Sequence, residues 1–187
     1  MTPTFRTSQP GSAADPSKPH VILVGLPGSG KSTVGKAVAA RTGRSFLDLD
    51  VEIERREGES ISQIFGEKGE EYFRRREREL TAELRLVGNM IVSPGGGWMM
   101  NPDVVALVRP PSRIVYLKVR PETALKRLGP SRSARPLLSR PDPLGELKRL
   151  FELRKRIYET ADSVIDTELY TLQRVIEKVI ELASSPG

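Results

Sequence analysis

The chain has 187 residues, 37% hydrophobic and 29% charged, which suits one folded domain and excludes a chain disordered throughout. It has no cysteine, which rules out disulfides and thiolate zinc sites and fits a reducing cytoplasm, and no apolar run reaches membrane-spanning length. The net charge of +6 calls for an anionic partner, but the basic residues are scattered and only 5% of residues are aromatic, which favours small phosphates and carboxylates over nucleic acid.

Residues 1–18 are rich in Pro, Ser, Thr and Gly, lack the apolar stretch of a secretory signal, and read as a disordered tail ahead of a domain at 19–184. HVILVG, His20 to Gly25, is a β-branched apolar run closed by Gly, the pattern of a buried parallel strand. GLPGSGKS, Gly25 to Ser32, follows it, and KSTVGKAVAART then reads as a helix stopping at Gly43. A G-x-x-x-x-G-K-[ST] loop between strand and helix is a phosphate cradle. Its backbone N–H groups form a nest, and the helix N-terminus adds positive potential. Gly28, Ser29, Gly30, Lys31, Ser32 and Thr33 form the nucleotide-binding set, with Lys31 reaching the β- and γ-phosphates and Ser32 ligating Mg²⁺. The loop implies a nucleoside triphosphate and a metal but leaves the acceptor open. Water would make a motor or switch, and a hydroxyl a small kinase.

SFLDLD, Ser45 to Asp50, reads as the second strand. On a strand Asp48 and Asp50 point to one side and Leu47 and Leu49 to the other, at the carboxyl end where open parallel sheets bind ligands. One carboxylate would hold metal-bound water, and the other would accept a hydrogen bond from an acceptor hydroxyl. The alternative is that Asp50 merely caps the next helix, VEIERREG, on which Glu52 and Glu54 are expected to be solvated. Glu70 to Val87 is the strongest helix, with Phe73, Leu80, Leu84 and Val87 on one face. Arg74, Arg75 and Arg76 cannot all face one site. Arg74 is expected to turn inward, the alternative being a solvated basic face.

MIVSP is the third strand, and Gly95, Gly96 and Gly97 follow it. Gly has the largest backbone entropy to lose on folding, so the run implies that something must come close to bare backbone. Arg113 to Val119 and Ala161 to Asp166 read as the fourth and fifth strands. Glu146 to Thr160 and Glu168 to Ala183 read as helices, and the terminal ELASSPG is expected to fray. GPSRSARPLLSRPDP, Gly129 to Pro143, has four prolines and three arginines and reads as a mobile lid, with a disordered connector as the alternative. The alternation of strands and helices predicts a three-layer α/β fold: a five-stranded parallel sheet flanked by helices.

GLPGSGKSTVGK, FLDLDVEIE, GEEYFRR, GGG and SARPLL occur in this order. From about His20 to about Asp166 the chain resembles the shikimate kinases, small P-loop proteins similar to nucleoside-monophosphate kinases. The resemblance implies transfer of the ATP γ-phosphoryl group to the 3-hydroxyl of shikimate, with Mg²⁺. It implies that Asp50 binds the shikimate hydroxyls and acts as base, and that Asp48 reaches Mg²⁺ through water beside Ser32. Arg74 and Arg154 would grip the substrate carboxylate, while Gly95, Gly96 and Gly97 line the substrate. Lys31 and the lid residue Arg135 would offset charge on the phosphates, and Arg127 would flank adenine. The substrate-binding helical region is placed at about 50–78 and the lid at about 129–143. A cytoplasmic monomer with no nucleic-acid or membrane partner is expected.

Two segments depart from the family pattern. Trp98, Met99 and Met100 are bulkier than usual, and Trp98 is expected to pack over the substrate edge rather than merely cover a helix. ELYTLQ after the fifth strand is compressed, which leaves the base preference open. A gluconate-type kinase is the nearest rival. It would carry a histidine beside the acid pair, whereas the one histidine here is His20. A basic nucleic-acid-binding P-loop protein is the rival that is not an enzyme.

Overall fold

Short apolar runs that do not alternate with polar residues must be covered on both faces, and here they build one parallel sheet. In the computed structural model, which describes residues 18–129 and 141–184, the strands are β1 (Val21–Val24), β2 (Ser45–Asp48), β3 (Met90–Ser93), β4 (Arg113–Lys118) and β5 (Ser163–Asp166). They lie in the order β2-β3-β1-β4-β5, all parallel. The helices are α1 (Lys31–Thr42), α2 (Leu49–Glu57), α3 (Ile61–Glu67), α4 (Gly69–Leu84), α5 (Pro102–Ala106), α6 (Pro121–Leu128), α7 (Pro143–Tyr158) and α8 (Leu172–Ser184). This is the three-layer α/β fold predicted above. The expected tail lies outside the described residues except for Lys18, as does most of the expected lid, Arg135 included.

Successive strand residues serve opposite layers. Ile22, Val24, Val92, Ile114 and Tyr116 pack with Leu80 and Leu84 of α4 and Leu147 and Leu150 of α7. Val21, Leu23, Ile91, Val115 and Leu117 pack with Val34 and Val38 of α1 and Val175 and Val179 of α8. Full burial of one such side chain contributes about 1.5–3 kcal/mol, so the sheet holds both helical layers in place. In the β2–β3 register Asp48 stands beside Ser93. The acid pair and the glycine run therefore leave adjacent strands at the same edge of the sheet.

Several local expectations are corrected. The second strand ends at Asp48, not Asp50, and α2 begins at Leu49. Asp48 is the residue that caps α2, its Oδ1 accepting from the Val51 N–H at 3.5 Å. Asp50 lies in the first helical turn. The two carboxylates thus do not share a strand face. Asp48 ends the strand, and Asp50 is carried by helical geometry.

Glu52 is not solvated. It is 3% exposed, falls on the inner side of α2 with Leu49 and Ile53, and pairs with Arg55 and Arg56 at 2.8 Å. Burial pushes its pKa up, but the two arginines hold it below the usual carboxylate value. Glu54 is half-buried and accepts from the Ile61 N–H at 2.9 Å. Arg56 also binds Glu83 through two hydrogen bonds of 2.7 and 2.8 Å, which ties α2 to α4.

At the other end of the chain α8 starts at Leu172 and runs to Ser184. Of the segment 181–187 expected to fray, the first four residues belong to α8 and the last three lie outside the described residues. Arg44 donates to the Ala183 carbonyl at 2.7 Å and Arg113 to the Leu182 carbonyl at 2.9 Å. Two guanidinium groups therefore satisfy the last carbonyls and meet the negative end of the helix.

His20, 4% exposed, fastens β1 to the α4–β3 connection. Its Nδ1 accepts from the Met90 N–H at 3.3 Å, so the proton is on Nε2, which lies 3.0 Å from the Leu84 carbonyl. Burial, opposed by the backbone carbonyls, lowers its pKa below 6.5. The unfolded chain thus binds the proton more readily, and the stability from neutral His20 is complete above pH 6.5 and declines as pH falls below it. The chain's one imidazole should titrate by NMR with a midpoint under 6.5. His20→Gln should flatten the slope of stability against pH just below that value. A midpoint at or above 6.5 contradicts the assignment.

Candidate active site

A cleft of about 940 Å³ crosses the carboxyl edge of the sheet. The phosphate loop forms its floor. Asp48, Asp50, Arg74, Arg154 and the three glycines line one end, and Arg127, Thr167, Tyr170 and Leu172 line the other.

The floor is built as the motif requires. Gly28 and Gly30 have φ of +83° and +95°, the left-handed conformation that lets successive N–H groups turn inward. Gly30 caps α1 with no side-chain hydrogen bond of its own. The positive end of α1 therefore faces the cleft. Lys31 folds back on the loop, its Nζ donating to the Gly25 and Leu26 carbonyls at 2.9 and 3.1 Å. Ser32 Oγ donates to Asp48 Oδ2 at 2.8 Å, which brings the two residues read as a metal pair into direct contact.

The opposite wall answers what the glycine run is for. A Cβ on Gly95 would stand 2.7 Å from Asp50 Oδ1. On Gly96 it would stand 2.9 Å from Arg154 Nη1, and on Gly97 2.8 Å from Arg74 Nη2. Each glycine thus gives up its side-chain space to a different member of the predicted substrate set. Asp50 arrives from α2, Arg74 from α4 and Arg154 from α7.

A sequence model of the shikimate kinases matches residues 27–184. The chain belongs to this family. The shikimate kinase of Thermobifida fusca is 41% identical over 172 residues, covering 91% of this chain and 98% of that protein. Shikimate kinase from Acinetobacter baumannii, solved in complex with shikimate, superimposes with a TM-score of 0.82 at 34% identity, covering 89% of this chain and 93% of that one. A gluconokinase from Sinorhizobium meliloti reaches a TM-score of 0.55 at 15% identity, with 89% of this chain and 91% of that one covered. That likeness extends to the fold alone.

The acid end of the cleft contains a residue that sequence reasoning missed. Glu77 is 1% exposed, and its Oε2 accepts from Arg74 Nη1 at 2.9 Å. Its Oε1 has no hydrogen-bond partner among the described residues. Burial raises its pKa, opposed by the charges of Arg74 and Arg154. The available signal was its position three residues after Arg74 on one helix, where side chains meet. Arg74 also binds exposed Glu70 at 2.9 Å. Arg75 lies over the Tyr72 ring and Arg76 pairs with Glu57, so of the three arginines Arg74 alone lines the cleft.

At the far end Arg127 donates to the Thr167 hydroxyl at 2.7 Å and to its carbonyl at 3.0 Å, which fixes the plane of the guanidinium. Trp98 departs from the expectation. It is 1% exposed, does not line the cleft, and donates from Nε1 to Thr81 Oγ1 of α4 at 3.1 Å. It covers the helix because the 3-10 turn at Trp98–Met100 points its ring into the core beside Leu80 and Leu84.

None of the three glycines has a positive φ, so alanine fits each backbone and acts only through its Cβ. Gly95→Ala should move Asp50 and lower kcat, and Gly97→Ala should move Arg74 and raise the shikimate KM. Each effect should be tenfold or more, since a displacement of about 1 Å at a reacting centre can cost roughly 10²-fold. Steady-state kinetics of the two variants with unchanged circular dichroism checks this, and wild-type constants for both would refute it.

Proposed function

We propose that this chain transfers the γ-phosphoryl group of ATP to the 3-hydroxyl of shikimate, giving shikimate 3-phosphate, with each cleft residue in a definite role. Family membership carries the reaction. The convergence of Asp50, Arg154 and Arg74 on the three bare glycines supports the roles.

The acid is held by charge. Arg74 and Arg154 present two guanidinium groups against one buried carboxylate, Glu77, and exposed Glu70. A substrate carboxylate supplies a further anion beside buried Arg154, and guanidinium–carboxylate pairs bind with defined orientation. The ring then lies against the glycine turn with its 3-hydroxyl towards Asp50. Asp50 accepts that proton as the oxygen attacks the γ-phosphorus, and ADP leaves in line. Phosphoryl transfer needs mainly positioning and charge neutralisation, which a fixed carboxylate and a phosphate cradle supply.

Lys31 serves the nucleotide. Its hydrogen bonds to Gly25 and Leu26 exchange for the β- and γ-phosphates when ATP enters the loop. Gly28, Ser29, Gly30, Ser32 and Thr33 supply N–H groups and hydroxyls. Ser32 and Asp48, already 2.8 Å apart, fit Mg²⁺, which takes few protein oxygens and keeps waters and phosphates for its other positions. When bound, the ion would neutralise charge on the β- and γ-phosphates. Arg127, held flat by Thr167, offers its face to adenine. We assign Arg135 to the phosphates and the segment at about 129–143 to a lid that excludes water, on the family resemblance. On this reading the enzyme is a cytoplasmic monomer formed by the domain at 19–184.

ADP release measured with ATP and a panel of hydroxy acids should show shikimate preferred by orders of magnitude. Asp50→Asn should lower kcat by about 10² or more, in the range of a lost general base, and leave ATP binding intact. Arg74→Ala should raise the shikimate KM by about tenfold or more with little change for ATP. Normal turnover by the first variant removes the base assignment, and an unchanged shikimate KM in the second removes Arg74 from the clamp.

A further inference from the structure

Three consecutive glycines have no side chains with which to fix their own shape, so their peptide planes must be held from outside. Two of the three carbonyls are held by the turn itself. Gly95 O accepts from the Trp98 N–H at 3.1 Å, and Gly97 O from the Met100 N–H at 3.0 Å. The middle one is held from a distant part of the chain. Gly96 O accepts from Tyr158 Oη at 2.5 Å, across 62 residues of sequence.

Tyr158 is built for one position. It is 1% exposed, ends α7 one helical turn after Arg154, and packs against Tyr116 with ring centroids 5.0 Å apart. A Cβ on Gly96 would meet Arg154 Nη1 at 2.9 Å, Tyr158 Oη at 3.6 Å and the Gly25 carbonyl at 3.7 Å. Gly96 thus lies against Arg154 of the clamp, Tyr158 and the start of the phosphate loop. Burial keeps the phenol protonated, with the charge of Arg154 and its hydrogen bond to Tyr158 acting in the opposite sense, so the hydroxyl remains a donor at neutral pH. Tyr158 does not line the cleft.

We infer that Tyr158 is a positioning residue for the acid site: its hydroxyl fixes the Gly96 peptide plane and so sets how the glycine turn stands against Arg154. The inference rests on the proposed clamp of Arg74 and Arg154. Without the hydroxyl the Gly96 peptide is free to rotate, and the carboxylate site loses its shape while the phosphate loop keeps its own hydrogen bonds.

The test compares Tyr158→Phe, Tyr116→Phe and Arg154→Ala with wild type by steady-state kinetics in both substrates and by thermal melting. Tyr116 serves as control because its hydroxyl is buried in the same ring pair and has no hydrogen-bond partner among the described residues. Tyr158→Phe should raise the shikimate KM about five- to tenfold, the size expected for one buried hydrogen bond. Its ATP KM should stay within about twofold and its kcat within about threefold. Tyr116→Phe should leave all three constants unchanged. The inference is overturned if Tyr158→Phe leaves the shikimate KM unchanged, if both KM values rise together with a lowered Tm, or if the variant no longer folds, which would make the hydroxyl a general stability element. Arg154→Ala separates the two readings. An unchanged shikimate KM in that variant removes the clamp itself, whereas a raised KM there with a normal one in Tyr158→Phe removes only the positioning role.

Discussion

Three side chains from three helices occupy the space that three β-carbons would otherwise fill. Asp50, Arg154 and Arg74 lie against Gly95, Gly96 and Gly97, and the acid end of the cleft depends on this close approach. It requires α2, α4 and α7 to arrive at one corner of the sheet, and the parallel order β2-β3-β1-β4-β5 brings them there. β3 lies between β2 and β1, so the glycine run leaves the sheet between Asp48 on one side and the phosphate loop on the other.

Electrostatics then decides what the corner can hold. Charged groups are costly to remove from water unless they are paired. Arg154 is buried, and Arg74 lies largely within the cleft wall. Glu77 compensates one of these charges, and Glu70, which also binds Arg74, is mostly exposed to solvent and offsets less. With Asp50 the corner sets two oriented guanidinium groups among three carboxylates, and the proposed clamp rests on the orientation of those guanidinium groups rather than on a net charge. The phosphate loop is built differently, with the positive end of α1 and the Lys31 ammonium, which donates to the Gly25 and Leu26 carbonyls.

The helices that carry the clamp are themselves braced. Arg56 joins Glu52 of α2 to Glu83 of α4, and Glu57 gathers the Tyr72 hydroxyl, Lys68 and Arg76. Exposed ion pairs contribute little singly, but a network that spans two helices limits their relative movement. Phe65 and Phe73, with centroids 5.1 Å apart, fill the seam between α3 and α4 beneath the same corner. In this way Glu52, expected from the sequence to be solvated, and the ion pairs around it contribute to placing Asp50 and Arg74.

Local pattern was enough for the layers, the phosphate loop and the residue types at the site. Strand burial, the G-x-x-x-x-G-K-[ST] turn and the amphipathic face of α4 each depend on neighbours within a few positions, and such spacing is visible in a linear string. It failed where a boundary turned on competition between strand and helix. Asp48 ends β2 and caps α2, so Asp50 belongs to the helix, although alternation alone would have extended the strand through it. It also could not say which side chain fills which glycine, that Trp98 turns to Thr81 rather than to the cleft, or that Tyr158 reaches back across 62 residues to Gly96. Those pairings depend on which elements the fold sets side by side. By itself the sequence determined a P-loop α/β domain with an acidic and basic acceptor site. Only the tertiary structure decided the partners within that site, because convergence of distant groups depends on strand order and helix packing, which leave no period in the chain.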